Sequence, residues 1–320
     1  MKILQVTAPK EFKILEVPTP EPGPGQILMR VDGVATCPQW DLHLRHNEPM
    51  FVGHTFVYPY TEGQPGHEAT GFVEALGPGV TSLKVGDRIS AWRDQGHERW
   101  GCYAQFVIQD EASVIPVPDG PSAEALASVE LAMCISTVFR GLAQMGAIAG
   151  RVFGVNGLGP AGLVAMQMAR AEGATTVIGF DPVAERREKA LSMGADEVYD
   201  PTSADTDEKI PPRARLQTSI DCNGGKAAVE WLMDHTADCV GLFGVQREDY
   251  VYSLGRQGLT ILGYKGHSRE SAEYAVGLIR EGKLDLAPMI THVLPLERYN
   301  EGIELLEARK AIKVMFRPWQ

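Results

Sequence analysis

Two short stretches hold the residues best suited to chemistry. TCPQWDLH, from Thr36 to His43, supplies Cys37, and PGHE, from Pro65 to Glu68, supplies His67. A thiolate and a neutral imidazole are both good zinc ligands, and a third acid or thiolate beside one open position would make a catalytic site of them.

A second chemistry is written in Gly157-Leu158-Gly159-Pro160-Ala161-Gly162. This GxGxxG follows the β-rich RVFGVNG, opens the helical GPAGLVAMQMARAEG, and is trailed by Asp181 nineteen residues past its last glycine. That context is the dinucleotide fingerprint. Gly157 permits a tight turn, Gly159 puts no side chain between backbone and pyrophosphate, and Gly162 allows close helix packing. Free N–H groups at the helix start, where Pro160 and Ala161 lie, face the phosphates. Asp181 is expected to bind the adenosine ribose hydroxyls and repel a phosphate there, which favours NAD over NADP. Arg186, assigned to the same site, and Arg187 are the contrary cue, one helical turn further on.

The elements that must position these residues fall into two textures. The first 120 residues are rich in Gly and Pro, with short alternating runs such as QILMRVDGVA, GFVEAL, DRISAW and AQFVIQ between turn clusters. This predicts a compact antiparallel β-barrel or sandwich. From Pro121 helical and β-rich segments alternate, from SAEALASVELAMCISTVFRGLAQMG to LTILGYKG, and predict a parallel, doubly wound sheet. The polar DPTSADTDEKIPPRARL reads as a loop or short helix, and the tail as helix, ITHVLPL, helix and a last strand AIKVMFR.

A length of 320 residues predicts about two domains, and 44% hydrophobic with 22% charged residues is an ordinary soluble composition. The formal net charge of −11 excludes nucleic-acid and anionic-membrane partners in the absence of a local basic patch, and none is evident. The start of the chain lacks the apolar core of a signal peptide, and the longest apolar stretch, interrupted by Gln167, is too short to span a bilayer. The expected location is cytoplasmic. Five scattered cysteines without a CxxC pair exclude a disulfide framework.

The series GVATC…DLH, PGHEATGFVEALGPGVTSLKVGDRI, GCYAQFV, VFGVNGLGPAGLVAMQMARAEGA and AIKVMFRP, in that order and over essentially the whole chain, resembles the zinc-dependent medium-chain dehydrogenase/reductase family, the alcohol and polyol dehydrogenases. The resemblance implies an α/β protein: a GroES-like β-barrel catalytic domain at 1–120 and 271–320, and a Rossmann NAD-binding domain at 121–270. One catalytic zinc is implied between them, on Cys37, His67 and either Glu68 or Glu130. Asp41 matches the acid that takes the other N–H of His67, and His43 the end of a proton relay. Lys313 in AIKVMF and Thr137 in CIST match positions near the cofactor.

The implied reaction is hydride transfer between an alcohol and NAD through a zinc-bound alkoxide, because zinc lowers the pKa of bound water from about 16 toward about 7. The implied assembly is a homodimer or homotetramer. Three departures stand out. Cys37 and Asp41 are one residue further apart than in the family, and Trp40 replaces the Ser or Thr whose hydroxyl carries the proton away; an indole N–H only donates, so Trp40 is assigned to the substrate pocket. The aromatic stretch HNEPMFVGHTFVYPYTEGQ precedes PGHE and shapes the substrate entrance or a partner contact. Four clustered cysteines are missing after VGDR, so no structural zinc is expected. The alternatives are a zinc-free quinone or enoyl reductase and a non-catalytic NAD-binding protein.

Overall fold

The alternation at the start of the chain closes as a hairpin: β1 (Lys2–Ala8) pairs antiparallel with β2 (Glu11–Glu16), and Lys10 turns the chain at a φ of 66°. The structure is a computed structural model that describes residues 1–320. Two compact units make it up, Met1–Leu131 with Asp285–Gln320, and Ala132–Leu284. The boundaries fall at 131/132 and 284/285 rather than at the expected 120/121 and 270/271.

The first unit continues with β3 (Gln26–Ala35), α1 (Pro38–His46), β4 (Glu68–Leu76), β5 (Arg88–Ala91), β6 (Phe106–Asp110) and β7 (Val114–Pro116). Then α2 (Val129–Gln144) opens, and the boundary falls in its first turn. The second unit carries β8 (Val152–Asn156), α3 (Pro160–Ala171), β9 (Thr176–Phe180), α4 (Ala184–Ser192) and β10 (Glu197–Tyr199). It goes on through α5 (Ala204–Lys209), β11 (Leu216–Asp221), α6 (Lys226–His235), β12 (Thr236–Leu242), β13 (Thr260–Gly263) and α7 (Arg269–Arg280). The chain returns to the first unit with β14 (Ile290–Pro295), α8 (Tyr299–Glu307) and β15 (Lys313–Arg317).

In the first unit β3 is the hub. Seven strands form one sheet in the order β14-β15-β3-β4-β5-β7, with β6 also on β3. The register sets Ala35 opposite both Glu68 of β4 and Met315 of β15. All pairings are antiparallel except β14 with β15. That pair is parallel because α8 carries the chain across between them, as a parallel connection requires. Its core joins Leu4, Ile27, Met29, Val31, Tyr103 and Phe316, the inward residues of several strands.

The second unit is a parallel sheet in the order β10-β9-β8-β11-β12-β13. Numbered within the unit this is 3-2-1-4-5-6, the doubly wound order, and its direction reverses between β8 and β11. The segment 201–215, left between loop and short helix by its sequence, forms the six-residue α5. No helix is long and apolar enough to cross a membrane.

The glycine turn after β8 is tightly built. A Cβ at Gly162 would lie 1.9 Å from the Gly157 carbonyl oxygen, so the third glycine is needed for the turn itself more than for packing on the strand. Gly162→Ala is expected to destabilise the protein by about 1–3 kcal/mol, the range for forced overpacking. Urea unfolding should show this as a lower midpoint with an unchanged slope.

Candidate functional site

The strand register gathers the candidate ligands. The Thr36 N–H donates to the Val314 carbonyl at 2.8 Å, and Thr36 Oγ1 accepts the Val314 N–H at 3.0 Å. Glu68 opens β4 opposite the last residue of β3. Because β3 lies between β4 and β15, residues 36–37, 67–68 and 313–314 meet at one end of the sheet. Cys37, His67 and Glu68 each present a ligating atom there, and the three atoms lie within 4.8 Å of one another. Glu130, in the first turn of α2, brings a carboxylate oxygen to 3.9 Å from His67 Nε2.

The state of His67 follows from its partners. Its Nδ1 lies 2.7 Å from the Pro65 carbonyl oxygen, an acceptor only, so Nδ1 carries a proton and Nε2 faces the other donors. Burial disfavours charge on this ring, yet its hydrogen bond with Cys37 and the charges of Cys37, Glu130 and Asp94 hold its pKa well above the imidazole range. Surroundings that favour a proton on Nε2 favour a divalent cation for the same electrostatic reason, and a metal displaces that proton when it binds. A thiol, an imidazole and carboxylates are a donor set that suits zinc.

The structure shows the partners of four assigned side chains, and for Asp41 the expected contact is replaced by others. Asp41 does not take the His67 N–H, which goes to Pro65. Instead its carboxylate accepts from Tyr103 Oη at 2.9 and 3.0 Å, from Tyr299 Oη at 3.0 Å, and from the Cys37 N–H at 2.9 Å. It therefore holds the Cys37 backbone, reaching back from the first turn of α1. Burial pushes its pKa up to about 6, against the pull of both tyrosine hydroxyls, the His67 charge and the Cys37 N–H.

Lys313 is not in solvent. It is 0% exposed, and its Nζ donates to both oxygens of Glu68 at 2.6 Å, with Glu68 1% exposed. His43, half-buried in α1, has Nδ1 at 3.2 Å from the Glu48 carbonyl, so its ring serves the end of its own helix. Thr137 donates its hydroxyl to the Cys134 carbonyl at 2.8 Å within α2. The two tyrosines and the Glu68 lysine partner had no signal in the sequence, since each comes from a distant segment.

At the nucleotide turn, Gly157 has a φ of 88° and donates its N–H to Phe180 at 2.8 Å. Gly159 caps α3, with Pro160 in its first turn and Ala161 following. A Cβ on Gly159 would meet no atom within 4 Å, so no contact inside the protein requires a glycine there. Close approach of a pyrophosphate would. Asp181, at the end of β9, accepts the N–H groups of Leu158 and Val183, each at 2.9 Å. Arg186 lies 3.5 Å from the same carboxylate, whereas Arg187 donates to the Asp181 carbonyl at 2.7 Å and lies 3.7 Å from Asp200.

Trp40 stands one helical turn beyond Cys37. It meets His97 in a tilted stack with centroids 4.0 Å apart, and Phe51, His54 and Phe56 edge-on. The aromatic stretch before PGHE thus folds back over this tryptophan.

Comparison with known proteins places both units. The alcohol dehydrogenase GroES-like domain matches residues 23–119, and the zinc-binding dehydrogenase model matches residues 160–281. The L-threonine 3-dehydrogenase of Thermococcus kodakarensis is 30% identical over 96% of this chain and 94% of its own. An alcohol dehydrogenase of Geobacillus stearothermophilus is 29% identical over 91% of each chain. Among solved structures, galactitol-1-phosphate dehydrogenase from Escherichia coli superposes with a TM-score of 0.84 at 23% identity, covering 99% of this chain and 100% of that one, a likeness of fold.

The Lys313–Glu68 pair generates a stability prediction. Lys313→Met leaves the Glu68 carboxylate buried without its partner and is expected to cost about 3–5 kcal/mol. Lys313→Met with Glu68→Gln should recover most of that loss in thermal or urea unfolding.

Proposed function

This chain belongs to the zinc-dependent medium-chain dehydrogenase/reductase family and is an oxidoreductase acting on small molecules, and we propose that it moves a hydride between an alcohol and NAD with one zinc ion held by Cys37, His67 and Glu130. The observations that carry this reading are the convergence of Cys37, His67 and Glu68 within 4.8 Å and the approach of a Glu130 oxygen to 3.9 Å from His67 Nε2, around an imidazole whose Nδ1 is already engaged. Proximity alone favours Glu68 as third ligand. Its two oxygens, however, are both engaged by Lys313, whereas Glu130 brings a carboxylate oxygen to 3.9 Å from His67 Nε2.

Zinc at this position supplies a Lewis acid that eases loss of an alcohol's proton and polarises a carbonyl in the reverse direction. The residues around it have separate tasks. The Pro65 carbonyl fixes the tautomer and plane of His67, and Asp41 fixes the Cys37 backbone at the start of α1. Lys313 balances the charge of Glu68. Gly157, Gly159 and Gly162 shape the turn for the pyrophosphate, and Asp181, whose oxygens are oriented by two backbone N–H groups, takes the ribose hydroxyls. Arg186, beside that carboxylate, would lie at the adenosine end of a bound cofactor.

Metal analysis of the purified protein is expected to give about one zinc per chain, in keeping with a single catalytic site. Cys37→Ser, His67→Ala and Glu130→Ala should each lose the metal and turnover with the fold retained; full zinc in Glu130→Ala would return the third position to Glu68. Asp181→Ala should relax the preference for NAD over NADP, read as the ratio of kcat/KM for the two cofactors. An unchanged ratio removes Asp181 from that role.

A further inference from the structure

The proposed reaction leaves the alcohol's identity open, and the surroundings of Trp40 narrow it. Cys37 is the N-cap of α1 and Trp40 follows three residues later, a spacing that sets both on one face of the helix. The indole therefore borders the ligand cluster on the side of the cysteine. On the side of the histidine, Asp94 lines the same small cavity as His67 and lies 3.3 Å from His97 Nε2. The stack of Trp40 on His97 links these two sides into one wall.

That wall extends through six rings. Phe51, His54 and Phe56 meet Trp40 edge-on, and Tyr60 meets Phe56 and His97 with centroids 5.5 and 6.1 Å away. Phe56 and Tyr60, each 8% exposed, root it in the core beside Tyr103 and Phe316, and its remaining rings stand nearer the surface. Trp40 and His97 are only partly buried, Phe51 is 51% exposed and the adjacent Val52 is 98% exposed. An apolar surface kept open beside a reactive centre is the pattern of a small-molecule site.

Its polar atoms are few, and one of them, His97 Nδ1, is buried without a hydrogen-bond partner. His54 Nδ1 accepts the Met50 N–H at 3.3 Å, and His97 Nε2 faces Asp94. Asp94 in turn accepts the Gly96 N–H at 2.7 Å through its other oxygen, which fixes the turn that presents His97. Gln64 secures the same turn by donating to the Gly96 and Arg99 carbonyls at 3.2 and 2.9 Å. Burial lowers the His97 pKa, assisted by the His67 and His54 charges and opposed by Asp94, so its ring is neutral near pH 7 and offers no counter-charge to a carboxylate or phosphate. A polyol needs several partners for its hydroxyls, and a polar substrate left with unmatched groups in such a wall loses affinity steeply.

Resting on the dehydrogenase reading above, we propose that the substrate is an alcohol bearing an aromatic or similarly flat apolar group, which lies against Trp40 and the rings around it, with Trp40 and His97 as specificity-determining residues. The reaction balances without another reagent. The O–H proton leaves to solvent, the C–H bond gives its electron pair to the nicotinamide as hydride, and the alcohol is oxidised by two electrons as NAD is reduced.

The test uses the zinc-loaded full chain with benzyl alcohol, cinnamyl alcohol, sorbitol, galactitol 1-phosphate and L-threonine. The aromatic alcohols are expected to show the highest kcat/KM. Trp40→Ala should lower their kcat/KM by about 10- to 100-fold, mainly through KM, the size of effect expected for a lost ring contact of about 1–3 kcal/mol. Zinc content should stay as in the wild type, and Trp40→Phe should restore most of the loss. A higher kcat/KM for sorbitol, the phosphate or threonine overturns the proposal, as does a Trp40→Ala enzyme with unaltered preference.

Calorimetric titration with benzyl alcohol separates this from the underlying reading. Saturable binding to wild type that disappears in Trp40→Ala, without turnover of any alcohol, supports the ring site and defeats the dehydrogenase reading. No binding of benzyl alcohol alongside turnover of polyols defeats the ring site alone.

Discussion

A lysine and a glutamate, both removed from water, hold the end of the seven-stranded sheet together. Glu68 begins β4 and Lys313 begins β15, and β3 runs between them, so their 2.6 Å contacts span the strand whose continuation carries Cys37. Burying either charge alone would be prohibitive, and burying both is tolerable only with good geometry and full hydrogen bonding. Here both carboxylate oxygens are engaged, which makes the pair a constraint on register as much as a source of stability. A slip of one residue in β4 or β15 would turn one charge to the opposite face and leave the other unmatched.

Everything proposed for the metal depends on that alignment. With Glu68 paired to Lys313, the proposed cation ligands are the Cys37 sulfur, the His67 Nε2 and Glu130. Backbone acceptors and buried hydroxyls do the orienting: Pro65 for His67, and the Tyr103–Asp41–Tyr299 group for Cys37. The usual carboxylate partner of a ligating imidazole is here a carbonyl, and the aspartate freed by this change serves the other ligand. The inserted residue between Cys37 and Asp41 accompanies this arrangement, since Asp41 sits one full turn into α1 and can reach the Cys37 N–H.

The replacement of a small hydroxyl by Trp40 alters the site twice. It removes a proton carrier, and it introduces a flat apolar surface to which the stretch 49–60 and His97 both attach. The segment 92–102, which lacks the clustered cysteines of many relatives, contributes Asp94 and His97 to that surface. Gln64 and the Asp94 turn hold this loop in place.

The sequence by itself determined the two kinds of unit, the glycine turn, and Cys37 and His67 as residues whose chemistry suits a metal. Those features are local: hydrophobic period, glycine spacing and residue chemistry are all legible within a few positions. Boundaries were less legible, because α2 and α7 read as helix wherever the division falls. Only the tertiary structure decided that Lys313 belongs to Glu68, that Asp41 belongs to Cys37, and that Trp40 meets His97, because each pairing joins segments whose separation in the chain carries no information about distance. Strand register and burial chose those partners, since a buried charge or hydroxyl must take whatever complement the folded chain brings within reach.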